Sequence, residues 1–269
     1  MTLEPVYTAE HTKSAYRLYY NWVGWPSQQS RLPEPHDAFF AELASAWEED
    51  GIRLLERAWS PRDARLLFSV KPGVSPILFT ARIKGRLQYA LRKQALPARF
   101  SRKLAMLSVG GNLISTVERY VENQATNMPL ADPSTREFLR RFTVVDSTVN
   151  LAMPTPVAAG RYWYNLHLVL VTRRRICILD AQRLGVLRDG CLRIAAKHKH
   201  QISRLAVMFD HLHIALRGAI AQSPAEIALC YMNNLAFLLR QDALWQPSYY
   251  VGTFGHYDLG AIRQAVAGE

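Results

Sequence analysis

Hydrophobic residues along this chain recur with two spacings, one typical of strands and one typical of helices. The same order of strand and helix patterns occurs twice. Alternating or continuous apolar runs predict strands, and apolar residues at steps of three and four predict helices. In the first half the predicted strands are 14–23, 52–55, 64–70 and 104–109, and the predicted helices are 35–50, one that begins at Ser75-Pro76, and 114–124. In the second half the strands are 162–171, 202–207, 211–216 and 249–254, and the helices are 186–199, one from Ser223-Pro224 to about residue 240, and 259 to the C-terminus.

The two halves also keep a constant register, which predicts a tandem duplication. Tyr16 and Tyr164 are 148 residues apart, and so are Ser75 and Ser223, each followed by proline. Each unit has the order strand, helix, strand, strand, helix, strand, helix. This order predicts an α+β fold of two tandem ferredoxin-like units, each an antiparallel sheet with helices on one face. We place the units at 1–127 and 161–269, joined by a proline-containing linker at 128–160.

One predicted strand carries a pair of histidines. In a strand, side chains at alternate positions share a face, so His211 and His213 lie roughly 6–7 Å apart along it. Two neutral imidazoles on a stiff strand are half of a metal site. The alternative is that both rings are half-buried and satisfied by their neighbours. Another pair, His198 and His200, is expected at an exposed helix end.

The other half of the chain lacks this pair but has a helix with different chemistry. At the offset of 148 residues the histidines correspond to Asp63 and Arg65, and arginine cannot ligate a cation. Tyr120 and Gln124 are four residues apart, so they share one helical face. A phenol can attack phosphorus, and an amide oxygen can ligate a hard cation.

The second unit in turn lacks the tyrosine. At the offset of 145 residues that relates Ser108 to Thr253, Tyr120 and Gln124 correspond to Ala265 and Glu269. Taken alone, Tyr120 could simply be an aromatic residue on the buried face of its helix. Because each unit keeps what the other has lost, the pattern favours one composite active site formed by both.

Charge narrows the choice of partner. The 269 residues carry a formal net charge of +11 and half are hydrophobic (49%), so we expect a folded protein with a polyanionic partner. Nucleic acid is the first expectation and an anionic membrane surface the second. The sequence has neither a membrane-spanning run nor the form of a signal peptide. Three cysteines without a C-x-x-C pair are typical of a reducing compartment.

Several motifs together resemble the single-tyrosine HUH transposases, a group that includes insertion-sequence and REP-associated tyrosine transposases. The matching pieces are His211-Leu-His213, Ser75-Pro76 with Ile83-Lys-Gly-Arg86, Phe100-Ser-Arg-Lys with Ser108-Val-Gly110, and Tyr120-Val-Glu-Asn-Gln124. The two-histidine motif is weak by itself, whereas the ordered set is fairly specific. The resemblance covers nearly the whole chain outside the linker.

The resemblance implies a function as well as a fold. It implies Mg²⁺ or Mn²⁺ held by His211, His213 and Gln124, and a 5′-phosphotyrosine formed by Tyr120 on single-stranded DNA or a DNA hairpin. It also implies a shared site, here built within one fused pseudo-dimer, which therefore has less need to dimerise and is expected to be a monomer in the bacterial cytosol or nucleoid.

The expected DNA contacts come from basic residues in the same motifs: Arg82, Lys84, Arg86, Arg102 and Lys103. The alternative for Arg82 and Arg86 is a solvated basic face. Only one composite site can survive, whereas the family homodimer has two. The predicted activity is therefore nicking and joining at a single site, and the alternatives are a catalytically inactive, domesticated hairpin-binding protein or a scaffold.

Overall fold

The computed structural model describes residues 4–27, 30–35, 37–96, 98–128 and 131–261. The first half contains α1 (Asp37–Glu49), α2 (Pro76–Lys93) and α3 (Ile114–Glu122), and strands β1 (Lys13–Arg17), β2 (Tyr19–Pro26), β3 (Ile52–Trp59), β4 (Ala64–Val70) and β5 (Phe100–Val109). The order of elements agrees with the prediction, and β3 and β5 are each four residues longer than predicted.

The second half repeats these elements after a connecting segment. That segment contains α4 (Pro133–Arg140), β6 (Thr143–Val145) and β7 (Thr155–Val157). The repeat consists of β8 (Gly160–Trp163), β9 (Asn165–Thr172), a 3₁₀ turn (Arg173–Arg175), α5 (Ala181–His198), β10 (Gln201–Val207), β11 (His211–Arg217), α6 (Pro224–Leu238) and β12 (Trp245–Thr253). Residues 259–261 begin a further helix. The rest of that predicted helix, including Ala265 and Glu269, lies outside the described residues.

The two halves form two six-stranded sheets with the same central strand order. One contains β3-β4-β2-β5 and the other β10-β11-β9-β12, and all neighbours within these sets are antiparallel. Strand β4 lies between two strands joined by α1, and β11 between two joined by α5. This is the ferredoxin-like arrangement, so the predicted α+β class and the tandem units are confirmed.

Each predicted first strand is divided between the two sheets, which corrects the sequence prediction. The strand predicted over 14–23 breaks at Leu18, and β1 pairs in parallel with β12 of the other half. The strand predicted over 162–171 breaks at Tyr164, and β8 pairs in parallel with β5. Tyr164 therefore corresponds to Leu18, an offset of 146 residues, and not to Tyr16. The predicted offset of 148 was wrong for this strand because the segment between β9 and β10 has two more residues than the corresponding segment between β2 and β3.

Reciprocal contacts join the two halves at the ends of β5 and β12, a place that we call the crossing. The Ser108 hydroxyl donates to the Phe254 carbonyl (2.8 Å), and the corresponding Thr253 hydroxyl donates to the Val109 carbonyl (2.6 Å). Two residues later, each half has a glycine packed on the opposite backbone. A Cβ at Gly110 would lie 2.0 Å from the Thr253 oxygen, and one at Gly255 would lie 2.2 Å from the Ser108 oxygen. The halves are thus related by an approximate twofold axis, and only glycine fits at either crossing.

Helices α2 and α6 start in the same way. The Ser75 side chain accepts a hydrogen bond from the Leu78 amide, and the Ser223 side chain accepts one from the Glu226 amide. Proline follows as the first helical residue in both. The offset of 148 residues predicted from these serines is confirmed. Among the described residues, no helix is both long and apolar enough to cross a membrane.

Candidate composite active site

Helix α3 leaves its own unit and packs on the sheet of the other. It follows the crossing at Gly110 and contacts β10 and β11. Val117 and Val121 are buried there in a cluster with residues of the second half, namely Ala206, Ala215 and Phe254, together with Leu151. A helix of nine residues is too short to be stable alone, so this apolar contact holds it in place. The docking expected between the tyrosine helix and the histidine strand is present.

An ion cluster fixes the rotation of α3 on the sheet. Arg204 of β10 lies 3.2 Å from a Glu122 carboxylate oxygen and 3.8 Å from one of Glu118. The Arg204 side chain is only 16% exposed, so this pairing is screened less than a surface pair. Since Glu118 and Glu122 are one helical turn apart, the face that carries them also sets the direction of Tyr120.

His211 and His213 lie on the same face of β11, as their spacing predicts. Their ring centroids are 5.0 Å apart. The Asp210 carboxylate lies 2.6 Å from Nδ1 of His211, and its other oxygen accepts a hydrogen bond from Arg175 (2.9 Å). Although burial acts to raise the pKa of Asp210, the contacts with His211 and Arg175 keep it below its ordinary value. Asp210 therefore orients the His211 ring through Nδ1, and Nε2 is not engaged in this contact.

A third histidine, His167, lies beside the pair and was missed from the sequence. Its Nε2 is 3.0 Å from Nδ1 of His213, and the two rings are stacked at 5.2 Å. Burial lowers the pKa of His167 to about 4 and that of His213 well below its usual value. Both rings are thus neutral near pH 7. The signal in the sequence was a polar residue inside the alternating strand β9, and its counterpart in the first half, Asn21, is polar and buried.

Tyr120 faces these rings from α3. Its ring centroid is 5.4 Å from that of His213 and 5.9 Å from that of His167, both edge-on. The tyrosine is 50% exposed, so it is not simply an aromatic residue on the buried face of its helix, which was the alternative considered from the sequence. The space in front of it is a cavity of about 340 Å³, lined by Asn112, Thr116, Val117, Tyr120, His167, Val169, His213 and Tyr250. A phenol and an imidazole from opposite halves therefore share one open cavity.

The residues present fit a divalent cation by the chemistry of their donors. Among the described residues, no group of three or more His, Cys, Asp and Glu side chains forms a metal site. The candidate ligands are then two imidazoles and one amide, a set that leaves coordination positions for water and phosphate oxygens. Gln124 lies just beyond α3, and its amide nitrogen donates to the Tyr120 carbonyl (3.0 Å). Its amide oxygen is the atom suited to a cation.

The corresponding place in the first half cannot hold a cation in this way. In the sheet registers Val23 pairs with Arg65 as Val169 pairs with His213, so Arg65 occupies the position of His213. Asp63 occupies that of His211, and its carboxylate forms an ion pair with Arg65 at 3.0 Å. The loss of the histidine pair from the first unit, predicted from the offset, is therefore visible in the structure.

The predicted DNA-contacting residues lie in two different electrostatic environments. Arg86 and Arg82 lie 2.6 and 3.6 Å from the Asp50 carboxylate, so Arg86 in particular ties α2 to the end of α1. Lys84 is different, because partial burial and the neighbouring Arg102 charge both lower its pKa. Lys84 and Arg102 are thus two cations close enough to affect each other, and such a pair is suited to an anion.

Comparisons with known proteins show what the chain is similar to. Residues 161–268 match the family model for IS200-like transposases. A putative transposase from Deinococcus radiodurans is 23% identical over 39% of this chain and 88% of its own, with a TM-score of 0.32. A REP-associated tyrosine transposase bound to a REP hairpin is 13% identical over 38% of this chain and 62% of its own, with a TM-score of 0.31. No curated protein matches the chain. The second half of the chain, which contains both histidines, is therefore similar to the IS200-like transposases.

Proposed function

We propose that the chain nicks and joins single-stranded DNA through one composite active site, with Tyr120 as the nucleophile. The observation that supports this most directly is the 5.4 Å separation between the rings of Tyr120 and His213, which belong to different halves of the chain. Packing alone does not explain a tyrosine that is half exposed and yet faces the buried ring of His213. A transposase fold with this site has the parts needed for phosphoryl transfer.

The reaction is an exchange of phosphodiester bonds. The Tyr120 oxygen attacks the scissile phosphorus, the bond to the 3′ oxygen breaks, and the 5′ phosphate stays on the tyrosine. The phenol proton passes to water, and the departing oxygen gains a proton to become a free 3′-OH. Attack by a 3′-OH on the phosphotyrosine reverses the step, so joining needs no ATP.

A divalent cation, Mg²⁺ or Mn²⁺, would be held by His211, His213 and Gln124. When bound it would neutralise charge on the phosphate in the transition state. The residues of the chain do the rest: Asp210 orients His211, His167 orients His213, and Arg204 holds α3 so that Tyr120 meets the phosphate.

The DNA is a single strand or a hairpin with unpaired flanks, and Lys84, Arg102, Lys103, Arg82 and Arg86 contact its phosphates. The net charge of +11 supports a polyanionic partner. Both halves of the composite site lie in one chain, so the proposed active form is a monomer, working on DNA in the bacterial cytosol.

The test is formation of a covalent protein–DNA adduct. Labelled hairpins with randomised single-stranded flanks are incubated with the protein and Mn²⁺, and an adduct stable in denaturing gels is sought. Tyr120→Phe should abolish it, and His211→Ala or His213→Ala should reduce it strongly. Tyr257→Phe is the matched control, because Tyr257 is equally exposed at 50% but lies outside the cavity.

The opposite outcome has a definite meaning. Hairpin binding without any adduct from the wild type, across the whole randomised pool, would contradict the proposal. It would favour the alternative of an inactive protein that recognises hairpins. An adduct that persists in Tyr120→Phe would instead assign the chemistry to another residue.

A further inference from the structure

The first half of the chain has a cavity on the face that corresponds to the catalytic face of the second half. The helices α1 and α2 cover one side of the sheet β3-β4-β2-β5-β8-β7, and this cavity of about 630 Å³ lies on the other side. It is lined by Trp25, Lys103, Leu104, Ala105, Leu107, Pro156, Val157, Ala158, Gly160, Arg161 and Trp163. The catalytic groups are absent here, since Asp63 and Arg65 replace the histidine pair.

The aromatic and basic lining of this cavity is not a requirement of the fold. By the strand registers, Trp25 corresponds to Val171, Lys103 to Ser248, and Trp163 to Arg17. The second half folds in the same way without tryptophan at these places. The two tryptophans therefore need an explanation other than packing of the sheet.

Both tryptophan rings line the cavity, and a hydrogen bond fixes that of Trp163. Trp25 is 39% exposed, which is high for the largest apolar side chain. The indole N–H of Trp163 donates to the Ala152 carbonyl at 2.7 Å, so its ring is held in one orientation. Trp25 lies beside Lys103 on the sheet and Trp163 pairs with Leu107, a separation of about 13 Å along the strand. Aromatic faces this far apart suit two bases of an extended strand that are separated by another nucleotide.

Charge decides which partner fits. Among the described residues that line the cavity, Lys103 and Arg161 are the charged ones and none carries a carboxylate. Arg161 pairs with Ala105 in the sheet, and so lies between the two tryptophans. Aromatic platforms with cations between them are the usual combination for unpaired nucleotides, because any base can stack and the cations follow the phosphates.

We propose that this face, which has no catalytic groups, is a second DNA-binding site that holds about three unpaired nucleotides. Their bases stack on Trp25 and Trp163, and their phosphates contact Lys103 and Arg161. One half of the pseudo-dimer then binds single strand while the composite site acts elsewhere on it. This binding does not depend on cleavage by Tyr120, so it can be tested apart from the function proposed above.

The experiment uses the full chain with Tyr120→Phe, so that no cleavage takes place. Binding of a fluorescein-labelled ten-nucleotide oligo(dT) is followed by anisotropy. Trp25→Ala and Trp163→Ala should each weaken binding by at least about fivefold, whereas Trp→Phe at the same places should keep most of it. Phe237→Ala, which removes another exposed aromatic side chain (63%), is the matched control and should change nothing. Lys103→Gln and Arg161→Gln should each reduce the salt dependence by about 0.7 of a log unit per log unit of salt.

A second measurement locates the strand directly. Oligo(dT) carrying 5-iodouracil is photocrosslinked to the chain with intact tryptophans, and the modified peptides are identified by mass spectrometry. Crosslinks at Trp25 or Trp163 support the proposal, and crosslinks confined to other peptides overturn it. Unchanged affinity in folded Trp25→Ala and Trp163→Ala variants overturns it as well. If those variants instead convert a dimer to a monomer in sedimentation while oligo(dT) affinity is unchanged, the face is an interface between two copies.

Discussion

The docking of α3 on the second sheet can be tested by a small change far from the chemistry, Val121→Ala. Val121 is fully buried against Ala206, Ala215 and Phe254, and its side chain does not line the cavity in front of Tyr120. The substitution keeps helix propensity, since alanine is the best helix former. Its effect is therefore on the contact between the halves.

The magnitude follows from the buried methyl groups. Removing two buried carbons costs about 1.6 kcal/mol in transfer free energy at about 0.8 kcal/mol each. The unfilled space adds to this, for a total of about 2 kcal/mol. Since 1.4 kcal/mol is a factor of ten, the ratio of docked to undocked α3 should fall about 30-fold.

Two assays read this ratio. Native-state hydrogen exchange should show the amides of α3 exchanging about 30-fold faster, and the rate of adduct formation by Tyr120 should fall wherever docking limits it. Val145→Ala is the matched control, because Val145 lies on β6 of the same sheet but is 49% exposed. Exchange in α3 that is no faster than in this control, with an unchanged adduct rate, would refute the view that apolar packing positions the tyrosine.

Three further predictions concern single side chains. Arg204→Met should lower the free energy of opening of α3, measured by hydrogen exchange, by about 1–3 kcal/mol, because Glu118 and Glu122 lose their partner. A double-mutant cycle with Glu122→Gln should show coupling between the two changes. Asp210→Ala should weaken Mn²⁺ affinity by about 10- to 100-fold, measured by calorimetry, and an unchanged affinity would mean that Asp210 does not orient a ligand. Burial lowers the pKa of His200, so the unfolded chain binds this proton at a higher pH than the folded protein does, and the free energy of unfolding should fall as the pH drops below about 6.5. The free energy of unfolding should therefore depend less on pH in His200→Gln than in the wild type. An equal dependence in the two proteins would contradict this reading.

Much of the fold was predictable because local signals agree with the tertiary structure. The serine–proline starts of α2 and α6 fixed the register, and alternation located β4 and β11. The correspondence of Asp63 and Arg65 with the histidine pair followed from these two elements, and the sheet registers agree with it. Docking of α3 on β11 could be anticipated only from the complementary losses and the family resemblance, since nothing in the helix itself names its partner.

The exchange of β1 and β8 between the sheets could not be read from the pattern. Alternation continues through Leu18 and Tyr164, where the chain passes from one sheet to the other, and both residues are buried. A period of two says which face a side chain occupies but does not say which strand lies beside it. The same limit hid His167, which meets His213 only through pairing of distant strands. His200, expected at an exposed helix end, is instead buried with its ring nitrogens 3.2 Å from the Tyr231 hydroxyl and 2.8 Å from Gln222 Oε1.

The approximate symmetry also explains why losing one site need not disturb the other. The contacts that make the halves cross are backbone carbonyls, two hydroxyls and two glycines, and none of them belongs to a catalytic position. The scaffold that brings α3 to β11 is therefore independent of what lies at Asn21, Asp63 and Arg65. Those positions could change chemistry while Tyr120 stayed over His213. In a fused chain, a substitution in one half leaves the corresponding residue of the other half unchanged. In a homodimer, every substitution appears in both sites.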